Sequence, residues 1–322
     1  MTAIASNTST YRGRFAPSPT GPLHFGSLLA AFGSWLLARH AGGQWLVRIE
    51  DLDPPREITG AAEQQLRTLA AFGLASDAPV LRQSKRGEVY GAALDHLLAS
   101  DDAFPCHCSR SDLAVDAGVH RGCVAGARRT GPAVRFRVPS FTTLQFEDAI
   151  QGRVTQDVDD EVGDFVLKRA DGAWAYQLAV VVDDAAQGIT DVVRGADLLD
   201  STPRQILLQR ALGLPTPRYA HLPLIVDADG RKLSKSLAAL PVDGADPLPA
   251  LRAAWQVLGQ PPQALAGAGS VTTLLAASRR EFVPARITSL PQHGCHGRCL
   301  ESNAIHLTLR GPHRRPTGGI RS

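Results

Sequence analysis

Apolar positions along this chain change period repeatedly, and the changes mark out alternating strands and helices. Residues 11–16 read as a strand, the Pro17-Ser18-Pro19-Thr20-Gly21-Pro22 run as a loop, and residues 24–39 as a helix that Gly42-Gly43 brings to an end. Residues 45–49 then read as a second strand, closing a βαβ unit, and residues 61–72 as a further helix. From residue 101 to 129 the periodicity fades, which predicts an insertion between two halves of a sheet. The apolar run Leu178-Ala179-Val180-Val181-Val182 predicts a buried strand, and residues 202–212 a helix. No internal repeat or heptad interrupts this order, so the expected fold is α/β with a largely parallel sheet.

The remaining stretches complete a domain expectation. Residues 1–10 are small and polar and predict a flexible tail without a secretory signal. Residues 11–100 form the first half of the main domain, 101–165 the insertion, and 166–245 the second half. Residues 246–283, rich in Ala, Leu and Pro, predict a short helical region; 284–322, rich in Arg, His and Gly, predict a disordered tail.

Composition narrows the class. A hydrophobic fraction of 44% and a charged fraction of 20% suit a globular protein, and no apolar run approaches the roughly 18 to 20 residues of a membrane span. A cytoplasmic protein with no membrane partner is expected. The net charge of +3 permits a polyanionic partner without requiring one. Five cysteines at irregular spacing argue against a disulfide framework and for thiols or a metal site.

Two motifs can carry phosphate chemistry. His24-Phe25-Gly26-Ser27 stands where a loop enters a helix, so free N–H groups and the positive end of the dipole face an anion, Gly26 admits a nucleotide, and His24 can donate to phosphate oxygens. Lys232-Leu233-Ser234-Lys235-Ser236 offers two ammonium groups for charge growing on an α-phosphate. Singly, each has an ordinary reading, a capping histidine and a solvated basic loop. Together, in this order and about 210 residues apart, they resemble the paired motifs of class I aminoacyl-tRNA synthetases. The surroundings resemble the glutamyl branch in particular: the run from Arg14 to Gly21, Arg48-Ile49-Glu50-Asp51-Leu52-Asp53, Val181-Val182-Asp183-Asp184, and the segment from Ile189 to Asp197. Ser27 replaces the second histidine of the first motif, as it does in that branch.

The resemblance implies a Rossmann-like parallel sheet and activation of L-glutamate by ATP with Mg²⁺. It gives His24, Gly26, Lys232 and Lys235 to ATP, with His24 and Lys235 catalytic, and Arg14, Ser18, Glu50, Tyr176 and Arg194 to glutamate. Chemically, an arginine suits a carboxylate and Glu50 suits the α-ammonium; without the flanking motifs, Arg48, Glu50 and Asp51 could equally form surface ion pairs.

The insertion carries Cys106, Cys108, His120 and Cys123, a donor set suited to one structural Zn²⁺. The resembling branch has a Tyr and a Cys four residues apart where this chain has His120 and Cys123, so His107 competes as fourth ligand. Cys295 and Cys299, with His293 and His296, form a weaker second candidate. After Ser236 too little chain remains for the helical anticodon-binding region of a tRNA(Glu)-charging enzyme. That resembles a core-only paralogue, which transfers glutamate to the queuosine cyclopentenediol in the anticodon loop of tRNA(Asp). A monomer is expected. The competing readings are an ordinary tRNA(Glu)-charging enzyme with a reduced C-terminus and a non-catalytic nucleotide- or tRNA-binding protein.

Overall fold

The computed structural model describes residues 10–125, 131–223 and 242–289. Its elements in chain order are β1 (Arg12–Phe15), α1 (Phe25–His40), β2 (Gln44–Ile49), α2 (Ala61–Ala71), β3 (Leu81–Arg82), α3 (Gly87–Ala99), β4 (Ala103–Cys106), β5 (Ala133–Phe136), β6 (Thr143–Asp148), β7 (Gly152–Asp157) and α4 (Val158–Glu161). They continue with β8 (Phe165–Lys168), α5 (Tyr176–Ala186), β9 (Asp191–Gly195), α6 (Thr202–Ala211), β10 (Arg218–Leu222), α7 (Pro247–Val257) and α8 (Val271–Glu281). Among the described residues no helix is long and apolar enough to cross a membrane.

Seven strands form one sheet in the order β3-β2-β1-β9-β10-β6-β7, parallel except for the β6–β7 hairpin. Its two faces are covered separately. Phe25, Phe32, Trp35 and Trp255 of α1 and α7 pack on one side with Trp45, and Tyr90, Leu178 and Leu208 of α3, α5 and α6 on the other. Helix coverage of both faces is why the central strands are buried, so the charged side chains they carry, such as Arg14, Arg48 and Arg194, are buried too. Helix α1 lies so close to β10 that a Cβ on Gly33 would sit 2.8 Å from the Leu222 side chain. The turn after α1 uses Gly42 at φ +65°, and Gly43 donates its N–H to Ala38 O at 2.9 Å, which closes the helix and starts β2 beside β1.

Three expectations change. The apolar run 178–182 lies in α5, not in a strand. It is buried on all sides between the sheet, α3 and α6, so neither period shows in its sequence. The segment 101–165 is not one insertion: β4 and β5 join β8 in a small antiparallel sheet, whereas β6–β7 extends the large sheet through Tyr219 opposite Asp148. The hairpin alternates exposed positions with buried ones in β6 and half-buried ones in β7, and needs a sheet edge to cover the less exposed face. The chain beyond 283 does not turn at once into a tail, because Pro284–Arg286 forms a 3₁₀ turn and Ile287 is buried in the core beside α7 and α8.

Candidate functional site

Between β1 and β9 the chain's path through the sheet divides, one branch leading to β2 and the other to β10, and a crevice opens at the carboxyl ends of strands at such a point. Here a cleft of about 1470 Å³ is lined by Arg14, Ser18, His24, Gly26, Glu50, Tyr176 and Arg194. Seven residues singled out from sequence therefore share one cavity. Lys232 and Lys235 lie outside the described residues, as do His293, Cys295, His296 and Cys299.

At the cleft mouth, His24 caps α1: its Nδ1 accepts the Ser27 N–H at 3.2 Å, which leaves the ring proton on Nε2. A Cβ on Gly26 would come within 3.1 Å of the His24 ring, so a larger residue would press on the histidine. The loop before α1 is held by Gln65 of α2, whose Nε2 donates to Ser18 O at 3.0 Å and to Gly21 O at 2.7 Å. Ser18 itself is exposed.

The cleft floor is a set of buried charges. Arg14 donates Nε and Nη2 to Asp184 at 3.0 and 3.2 Å. Arg48 donates Nη1 to the same carboxylate at 2.7 Å and Nη2 to Glu50 at 3.2 Å. Arg48 is fully buried, so the surface-pair alternative does not hold for it. Burial opposes ionisation of Asp184, but the two guanidinium groups outweigh it and hold its carboxyl below the usual carboxylate range. Burial pushes the Glu50 carboxyl up, and Arg48 and Arg14 offset only part of this. Only Oε1 of Glu50 is hydrogen-bonded among the described residues. Asp183, one residue before Asp184, is held in another direction: it accepts from Gln83 Nε2 at 2.8 Å, from Tyr90 Oη at 2.7 Å and from Arg86 Nε, tying α5 to α3.

Arg194 has a different environment. Its five hydrogen bonds go to neutral groups: His221 Nε2 at 3.0 Å, Gln205 Oε1 at 2.9 Å, Thr202 Oγ1 at 2.7 Å, and Tyr176 Oη and Leu198 O at 3.3 Å. Its charge is oriented by the fold but not neutralised through those bonds. Sequence reasoning gave no role to Asp184, Gln205, Thr202 or His221. A signal existed for Asp184, because two acids beside the apolar run 178–182 require buried partners.

At the end of β4 and in the chain that follows it, Cys106, Cys108, His120 and Cys123 bring four donor atoms within 4.8 Å of one another. The Cys123 sulfur is 3.5 Å from that of Cys106 and 3.9 Å from that of Cys108, close to the roughly 3.8 Å between sulfurs that a tetrahedral ion with Zn–S of about 2.3 Å requires. His120 Nε2 lies 3.2 Å from Cys106 Sγ, and His120 Nδ1 donates to Asp164 at 2.8 Å, so the nitrogen facing the sulfurs is the lone-pair one. The donor set fits Zn²⁺, and it brings in His120 rather than His107. Sequence reasoning did not single out Asp164.

A family model described as tRNA synthetases class I (E and Q), catalytic domain, matches residues 10–125 and 121–249. The chain is 69% identical over 279 residues to a protein of Xanthomonas campestris pv. campestris strain 8004 named glutamyl-Q tRNA(Asp) synthetase, covering 86% of this chain and 93% of that one. A protein of the same name from Burkholderia cenocepacia strain J2315 is 57% identical over 262 residues, covering 77% of this chain and 88% of that one. Among solved structures, a glutamate tRNA ligase from Elizabethkingia meningosepticum in complex with its amino acid is similar, with a TM-score of 0.68 and 27% identity, over 88% of this chain and 66% of that one.

Proposed function

The chain belongs to the class I tRNA synthetases for glutamate and glutamine, and from that premise we propose that it activates L-glutamate with ATP and transfers the glutamyl group to queuosine in the anticodon loop of tRNA(Asp). The observation that carries this reading is the convergence of Arg14, Glu50, Tyr176, Arg194 and His24 on one cleft. A binding protein that merely kept the fold would not need buried cations and an underpartnered carboxylate there.

Glutamate presents two carboxylates and an ammonium. Glu50, with one oxygen unbonded and its ionised form disfavoured by burial, takes the ammonium, which supplies the missing counter-charge. Arg14 and Arg194 supply positive charge for carboxylates, and Ser18 adds a hydroxyl at the cleft wall. A carboxylate reaching Arg194 displaces its two longest bonds, those to Tyr176 Oη and Leu198 O. With both ends of the amino acid held, an α-carboxylate oxygen attacks the α-phosphorus of ATP–Mg²⁺. A carboxyl–phosphate bond forms and the bond to the β-phosphate oxygen breaks, releasing pyrophosphate. His24 Nε2–H, the start of α1 near Gly26, and Lys232 and Lys235 stabilise the phosphate charge. A cyclopentenediol hydroxyl of queuosine then attacks the acyl carbon, loses its proton and expels AMP, leaving the glutamyl ester.

Cys106, Cys108, His120 and Cys123 hold a Zn²⁺ whose part is structural, with Asp164 fixing the His120 ring. Queuosine as acceptor is supported by the 69% identity to a glutamyl-Q tRNA(Asp) synthetase against 27% to a glutamate tRNA ligase, of which this chain spans about two thirds.

The deciding experiment supplies labelled glutamate, ATP and Mg²⁺ with tRNA(Asp) containing queuosine, unmodified tRNA(Asp) or tRNA(Glu), and measures acid-precipitable label alongside adenylate formation. Label on the queuosine-containing tRNA alone is expected. Label on tRNA(Glu) would make this a charging enzyme, and an absence of adenylate would make it a binding protein.

A further inference from the structure

Three of the residues that aim Arg194, namely His221, Gln205 and Thr202, do not line the cleft. The Arg194 Nε–H donates to His221 Nε2, so that nitrogen must be the unprotonated one. His221 Nδ1 in turn donates to Asp148 Oδ2 at 2.6 Å, and both side chains are wholly buried. The other oxygen of Asp148 accepts three backbone N–H groups, those of Ile150 at 3.0 Å, Gln151 at 2.9 Å and His221 at 3.1 Å. Asp148 ends β6 and His221 lies in β10, so this chain of contacts links the β6–β7 hairpin to the cleft.

We propose that Asp148 and His221 are positioning residues for amino-acid binding: the carboxylate fixes the imidazole tautomer that accepts from Arg194, and the imidazole holds the Arg194 guanidinium toward the substrate. This rests on the functional reading above, in which Arg194 meets glutamate. With the proton on Nε2 instead, that N–H could turn to Thr202 Oγ1 at 3.2 Å, but Arg194 would lose its acceptor and face an N–H of the ring. Burial and the nearby Arg194 charge hold the His221 pKa below the ordinary histidine value against the pull of Asp148, in keeping with a neutral ring at physiological pH.

A purely structural role, stapling the hairpin to β10, would use the same contacts, and Asp148→Asn separates the two. Its amide oxygen can still accept the three backbone N–H groups, so the staple remains. Its NH₂ faces His221 Nδ1 and drives the ring proton to Nε2. Because a buried charged donor is then left facing a donor, the glutamate KM in pyrophosphate exchange is expected to rise roughly 10- to 100-fold. The ATP KM should stay near wild type. In a second pair, His221→Gln, whose amide offers one donor and one acceptor as the neutral ring does, should retain most of the glutamate affinity, and His221→Leu should lose it. An unchanged glutamate KM in Asp148→Asn, an equal rise for ATP, or a His221→Gln enzyme as impaired as His221→Leu would overturn the positioning role alone. Wild-type protein that formed no glutamyl-adenylate would overturn the functional reading and this inference with it.

Discussion

The cleft floor and the thiol cluster are both tight gatherings of polar groups, yet they are completed in opposite ways. At the floor, Arg14 and Arg48 meet Asp184 and Glu50, so cations and anions balance within the chain and the site is built by folding. In the cluster, three thiols and an imidazole converge, and among the described residues the apolar groups packed around them are Leu113, Phe104 and Ala125. Burial pushes the Cys106 thiol up to about 11, while at Cys108 burial is outweighed by the backbone N–H groups of Val124 and Ala125 and by the neighbouring thiols, which draw that thiol down. A balanced charge network can stand before its ligand arrives, whereas a set of donors without an acceptor needs the ion as part of its core.

The sharpest way to break this contrast is Asp184→Asn, which takes from buried Arg14 its carboxylate partner and leaves buried Arg48 with the Glu50 carboxylate. A loss of about 3–5 kcal/mol in urea denaturation is expected, together with loss of adenylate formation. A loss below about 1 kcal/mol would mean that the floor is not held by its own charges.

Next in size is metal removal. Purified protein should contain about one Zn²⁺ per chain, and chelation or Cys108→Ser should release hydrogen-exchange protection in residues 103–125 while that of β1 and β2 persists. Protection that survives chelation would place the cluster in the same class as the floor.

Acidification provides a graded test, because the two floor carboxylates are shifted in opposite directions. Asp184 has a lowered folded pKa, so its stabilisation is complete above the unfolded carboxylate range and is lost as pH falls through that lower value. Glu50 has a raised one, so its charged form opposes folding at neutral pH, and it protonates first on acidification. The glutamate KM should therefore climb at a pH where the melting temperature has not yet dropped; a simultaneous change in both would contradict it. The smallest effect expected is at the exposed pair Arg153–Glu147 on the β6–β7 hairpin, where Arg153→Ala should leave the melting temperature and both KM values unchanged.

Much of this was legible in the chain because the first βαβ unit is local. Its strands, its helix and the His24 cap follow from period and turn residues alone, and they bring Arg14, His24 and Glu50 to one end of the sheet. The residues that aim those groups were harder to see. Asp148 and His221 are 73 positions apart, and nothing in either neighbourhood specifies the pairing, which exists only once β6 docks on β10. Helix α5 was misread for a related reason: a segment buried on every side carries no period to read. Lys232 and Lys235, which the paired motif gives to ATP, lie outside the described residues.

The adjacent carboxylates of α5 set a constraint of another kind. Consecutive residues on a helix point about 100° apart, and here one direction serves the neighbouring helix and the other the substrate floor. Losing or gaining a single codon inside α5 would swing both carboxylates off target at once, whereas the same change in a surface loop could be absorbed by slack. Over evolutionary time this helix should accept changes of letter far more readily than changes of length, a pattern that substitution scanning alone would never reveal.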